Sequence, residues 1–169
     1  MSYKAMASYL KFRERFRKPK EFLEQLDISQ GEVVLDHGCG IGSYSIPAAE
    51  LVGPSGMVYA LDIHPLAIER TEKRAQKDRI ENLKTILSGL ENGLPDGHVD
   101  TVLLIDVFKS IEDKPALLRE FHRVLKPSGR LFILIDHVSP EECKSVVSKT
   151  NLFDLVTQKD NLLHYIRRQ

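Results

Sequence analysis

Apolar positions along this chain follow two patterns by turns, helical spacing and short continuous runs bounded by turn residues, and their alternation lays out its elements. Met6, Tyr9, Phe12 and Phe16 recur at helical spacing among Lys11, Arg13, Arg15 and Arg17, so residues 1–18 are expected to form a basic amphipathic helix. Pro19 suits a first helical position and opens a second helix over residues 19–26. The β-favouring run Val33, Val34, Leu35 ends in Asp36 and predicts a strand, and the Ala-rich segment 43–51 beyond the next turn predicts a helix. Residues 57–63 and 84–88 read as the second and third strands, separated by a helix that Pro65 starts and whose polar run from Glu69 to Lys77 reads as solvated.

Residues 89–97 are too polar and glycine-rich for an element. The apolar run at 99–106 carries Asp100 and Asp106 at its ends and has the look of a central parallel strand buried on both faces. Asp113 can cap a helix running to Lys126, with Leu117, Leu118, Phe121, Val124 and Leu125 as its inward stripe, and Pro127-Ser128-Gly129 ends it. A fifth strand follows at 130–136, a helix at 141–149, and two last strands at 153–157 and 162–166.

The first strand runs into Gly38-Cys39-Gly40-Ile41-Gly42, where a Cβ would obstruct both the reversal and the approach of a ligand to bare backbone. The dinucleotide pattern G-x-G-x-x-G fails in both frames, because Ser43 and Ser45 stand where the third glycine belongs. A phosphate-binding loop would need Gly-Lys-Ser/Thr at the helix start, and none is there. Asp36 would repel a pyrophosphate but suits a cationic ammonium group. Asp62 closes the second strand 20 residues beyond Gly42, where an acid accepts hydrogen bonds from ribose hydroxyls in doubly wound folds. A nucleoside carrying an amino acid in place of phosphates fits both acids.

Three motifs in order, V-L-D-H-G-C-G-I-G, A-L-D-I and L-L-R-E-F-H-R-V-L-K-P-S-G-R-L, make the chain resemble the class I S-adenosylmethionine-dependent methyltransferases, most closely over residues 19–138. The resemblance implies a single-domain α/β, doubly wound Rossmann-like fold with a mostly parallel seven-stranded sheet and a C-terminal antiparallel strand. It divides residues 1–169 into a helical cap (1–30), a cofactor-binding core (31–138) and a C-terminal helix and hairpin (139–169). It implies S-adenosylmethionine as cofactor, with Asp36, Gly38, Cys39 and Gly40 at the methionine end, Asp62 on the ribose diol, Ile63 on an adenine face, Gly89 and Leu90 at the adenine rim, and Asp106 at the pocket edge. Two positions depart from the family pattern. Gly89 replaces an Asp that often follows the third strand, leaving the adenine edge to Glu91 or to the backbone of Gly89 and Leu90. Lys109 replaces the histidine of D-V-x-H.

Asp106 and His137 are the candidate catalytic residues, at the ends of the fourth and fifth strands where ligands of open α/β sheets bind. Lys109, Asp136 and His137 are the candidate substrate contacts, and no metal is assigned. Composition narrows the partners. With 24 basic and 24 acidic residues in 169 the net charge is zero, which gives no overall pull toward nucleic acid or an anionic membrane. An RNA acceptor would rely on the basic segment at the start of the chain. Cys39 and Cys143 form neither a disulfide framework nor a metal quartet, and no apolar run is long enough to span a membrane. The sequence thus describes a cytoplasmic methyltransferase of a small-molecule acceptor, compatible with a homo-oligomer. Its alternatives are a non-catalytic or partner-dependent S-adenosylmethionine-binding subunit of the same fold and, further off, a nicotinamide-dependent oxidoreductase.

Overall fold

The structure, a computed structural model, describes residues 18–169, so the helix expected at residues 1–18 lies outside the described residues except for Lys18. The described residues divide into two compact units, the first ending at Gly89 and the second running from Leu90 to Gln169.

In the first unit, helix α1 (Pro19–Glu24) precedes β1 (Val33–His37), α2 (Ser45–Val52), β2 (Met57–Asp62), α3 (Pro65–Lys77) and β3 (Leu83–Leu87). β1 and β2 run parallel from Val33 beside Met57 to His37 beside Leu61, and β2 and β3 run parallel from Val58 beside Leu83 to Asp62 beside Leu87. Val34, Leu35, Val58, Ala60 and Leu61 of the strands and Ile46, Ala48, Ala49 and Val52 of α2 are buried, and α2 packs on β1 and β2. The small residues of α2 let the helix lie close to the strands. Asn82 fastens its end, donating to the carbonyls of Ala49 at 2.9 Å and Gly53 at 2.7 Å.

The second unit holds β4 (Val99–Ile105), a 3-10 turn (Phe108–Ser110), α4 (Lys114–Val124), β5 (Leu125–Leu134), α5 (Pro140–Thr150), β6 (Phe153–Lys159) and β7 (Leu162–Arg167). Asp113 caps α4 as expected, its carboxylate accepting from the Ala116 amide at 2.8 Å. Two expectations fail here. The helix stops at Val124, and β5 starts at once at Leu125 rather than at residue 130. Pro127-Ser128-Gly129 is therefore no terminator between elements but an irregularity inside the strand, where pairing jumps from Val99 beside Leu125 to Thr101 beside Arg130. Pro127 brings no amide to the ladder. Gly129 fits the fold-back because a Cβ there would lie 2.8 Å from Leu125 Cδ2 and 2.9 Å from the Lys126 carbonyl. Lys126 projects to Asp100 at 2.7 Å.

The seven strands form one sheet in the order β3-β2-β1-β4-β5-β7-β6. β7 runs antiparallel to both β5 and β6, which is the mostly parallel sheet with an antiparallel C-terminal strand expected above. Among the described residues no helix is long and apolar enough to cross a membrane.

Candidate functional site

The turn after β1 is built on left-handed backbone, with φ of 82° at Gly38, 59° at Gly40 and 76° at Gly42. Residues with side chains rarely adopt such values. The turn is held from the next strand and helix. The amides of Gly38 and Cys39 both donate to the Leu61 carbonyl, at 2.7 and 2.9 Å. The Gly40 amide donates to Asp62 Oδ2 at 2.9 Å, and Asp62 Oδ1 accepts from the His64 amide at 2.9 Å. Asp62 thus ties the glycine turn to the start of α3 with both oxygens, and each oxygen keeps a second lone pair for a ligand.

Asp36 lies beneath the turn, only 2% exposed, with its Oδ2 accepting from the Ser45 hydroxyl at 2.5 Å. Burial pushes its pKa up to about 7, against the pull of the Ser45 hydrogen bond and with help from the neighbouring Asp62 charge. Cys39 is buried in the turn, and burial, then the charges of Asp36 and Asp62, drive its thiol well above the usual range. It stays protonated and is no nucleophile. His37 is lowered to about 4 by burial and is neutral near pH 7.

At the carboxyl ends of β2 and β3 the surface is apolar. Ile63 is 72% and Leu87 56% exposed, and Leu66 is exposed as well. Leu87 pairs with Asp62 across the sheet. A Cβ at Gly89 would come within 3.0 Å of Ile63 Cγ2, so Gly89 lies against Ile63 and leaves its flank open. The first unit therefore brings together Asp36, Gly38, Cys39, Gly40, Asp62, Ile63 and Gly89.

In the second unit Leu90 is exposed at the start of the loop that leads to β4. β4 is followed by Asp106, whose φ is 62°, and β5 by Asp136 and His137, the latter with φ of 60°. Two left-handed, non-glycine residues at neighbouring strand ends cost roughly 1–3 kcal/mol each, and such strain gathers at functional sites. The Asp106 amide donates to the Leu134 carbonyl at 2.8 Å, which joins the two strand ends. His137 Nε2 stands 3.6 Å from Asp136 Oδ1, with the imidazole 73% exposed and the carboxylate 26%. Lys109 is exposed in the 3-10 turn three residues past Asp106, beside the buried Phe108. Among the described residues no group of three or more His, Cys, Asp and Glu side chains is arranged to hold a metal ion.

Residues 28–169 match the family described as methyltransferase domain. The chain belongs to that family. A demethylmenaquinone methyltransferase of Geobacillus sp. (strain WCH70) is 30% identical over 133 residues, covering 78% of this chain and 57% of that protein. A demethylmenaquinone methyltransferase of Listeria monocytogenes serotype 4b (strain CLIP80459) is 31% identical over 131 residues, covering 77% and 55%. The chain spans little more than half the length of these curated relatives. A solved structure of a SAM dependent methyltransferase from Aquifex aeolicus shares the fold with a TM-score of 0.85 at 20% identity, over 99% of this chain and 98% of that one. The methyltransferase class read from the three sequence motifs is thus the class of its family.

Sequence reasoning missed part of this candidate site. The run from Glu69 to Lys77 is not wholly solvated: Thr71 is fully buried, with Ala67 and Ala75 one turn to either side. Those three positions at i, i+4 and i+8 were the available signal, since small residues at that spacing let a helix approach closely. Ser45 was read only as a failed glycine, yet its hydroxyl holds Asp36.

Proposed function

We propose that this chain is an S-adenosylmethionine-dependent methyltransferase of a small-molecule acceptor, and that residues 1–169 act as one functional domain. The observation that carries the reading is Asp62, an acid at a parallel strand end, fixed to a glycine turn and flanked by exposed Ile63 and Leu87. That donor set fits the cofactor: a charged acceptor for the ribose diol, apolar surface for the adenine, and carboxylates in place of any phosphate-binding cation. Asp36, Gly38, Cys39 and Gly40 take the methionine end, with Asp36 supplying its charge from beneath the turn. Ile63 packs on the adenine face with Gly89 at its rim, and Leu90 and Asp106 are the further proposed cofactor residues.

Bound S-adenosylmethionine supplies an electrophilic methyl group. The protein has to hold the acceptor's lone pair in line with the S–CH3 bond and exclude water. Where the acceptor carries a proton, Asp106 or His137 accepts it. Asp136 stands 3.6 Å from the imidazole, where it would favour the protonated ring, while Lys109 offers a cation to the acceptor's polar rim. The relatives named as demethylmenaquinone methyltransferases support a small-molecule acceptor and make demethylmenaquinone in its reduced form the first to test. The balanced net charge supports a partner other than nucleic acid, and the absence of a long apolar run supports a cytoplasmic location.

The test uses the purified chain with methyl-labelled S-adenosylmethionine and a panel of small acceptors that includes reduced demethylmenaquinone. The expected result is label in the organic phase that depends on an acceptor and disappears with excess S-adenosylhomocysteine. Cofactor binding with no transfer to any acceptor would overturn the catalytic reading in favour of a binding subunit.

A further inference from the structure

We infer that Thr71 and Arg74 are positioning residues that fix the shape of the glycine turn and, through it, the affinity for the cofactor; this rests on the cofactor reading above. The two side chains stand three residues apart on α3 and so share one face of the helix. Thr71 is fully buried. Its hydroxyl donates to the Gly40 carbonyl at 3.3 Å and lies 3.9 Å from Cys39 Sγ. Arg74 donates from Nη1 to the Ile41 carbonyl at 3.0 Å. Gly42 completes the contact, because a Cβ there would lie 3.0 Å from Thr71 Cγ2 and 3.1 Å from its Oγ1. Helix and turn are as close as a missing side chain allows.

A turn with three glycines has more backbone freedom to lose than any other of its length. If that freedom survived folding, it would be lost on binding and would weaken the complex. Here residue 40 is fixed twice, its amide by Asp62 and its carbonyl by Thr71. Arg74 extends the hold to the next carbonyl. Both oxygens are thereby turned toward α3, where they do not confront the carboxylate of an amino-acid ligand. Asp62 has a role in contacting ligand as well; Thr71 and Arg74 act through the turn.

The test compares wild type with Thr71→Val, Thr71→Ser and Arg74→Met, by hydrogen exchange of ligand-free protein and by calorimetric titration with S-adenosylhomocysteine. Thr71→Val and Arg74→Met are expected to exchange faster across residues 38–42 while the strands β4 and β5 keep their protection, and to bind about three- to tenfold more weakly. Thr71→Ser keeps the hydroxyl and is expected to restore both. Unchanged exchange across the turn in the Val and Met variants would overturn the inference whether or not ligand binds. A wild type that does not bind the ligand would instead sink the cofactor reading, leaving the exchange result to decide the brace. If Thr71→Val does not fold, Arg74→Met carries the test, since Arg74 is only half-buried.

Discussion

Replacing Asp62 with alanine is expected to weaken S-adenosylhomocysteine binding on the order of a hundredfold, because hydrogen bonds to a charged group are the strong ones and two functions are lost at once. The carboxylate that is proposed to take the ribose diol also accepts the Gly40 and His64 amides, each at 2.9 Å. Alanine would leave those amides to water and release the glycine turn. Asp62→Asn separates the two functions: its carbonyl oxygen can accept one amide, while its NH2 group faces the other amide donor and fits a ribose diol poorly. An intermediate loss for asparagine and a larger one for alanine, read by calorimetry at fixed pH and salt, is the expected order. Equal affinity in all three proteins would mean that the ribose is held elsewhere.

The contribution of Asp36 to stability is expected to fall as pH rises from about 4 to about 7, against the opposite trend from His37, so it is read as the difference between wild type and Asp36→Asn. Its pKa stands at about 7 in the fold against an ordinary value of 3.8. Between those values the unfolded chain has released the proton that the folded chain still holds, so raising the pH favours unfolding. The contribution is complete below about 4, drains away up to about 7, and stays lost above it. Burial opposing ionisation is the main reason, and at ~1.4 kcal/mol per pH unit the loss is on the order of 4–5 kcal/mol. Asp36→Asn cannot ionise and should flatten this part of the profile, so that the variant gains on wild type between pH 4 and 8 in urea unfolding monitored by circular dichroism. A parallel profile for both proteins would show that the carboxyl is ionised in the fold across the whole range. The same logic links Asp36 to its ligand. A cationic amino acid stabilises the carboxylate form, so binding is expected to tighten as pH rises through neutrality.

Much of this was legible in the chain because its signals are local. The strand-turn-helix at Val33 to Val52 and the acid at the end of β2 follow from short-range rules, and the structure sets Asp62 against the Gly40 amide as a turn-holding group. The parallel order of β1, β2 and β3 follows from strands alternating with helices. What escaped notice depends on contacts distant in sequence. Pro127-Ser128-Gly129 has the composition of a terminator, and only the pairing of Leu125 with Val99 makes it part of a strand. Thr71 sits in a polar stretch, and the Gly40 carbonyl, distant in sequence, is the partner that lets its hydroxyl be buried. The left-handed backbone at Asp106 and His137 leaves only a faint mark in the residue types, since Asp and His enter that region more often than most residues yet far less readily than glycine.

The most direct measurement is a calorimetric titration of the same protein with S-adenosylmethionine and, separately, with NADH. Binding of the sulfonium nucleoside with no heat and no competition from NADH is the predicted result. Preferred binding of NADH at the glycine turn would contradict the account, since a diphosphate would then be sitting beside Asp36 and Asp62.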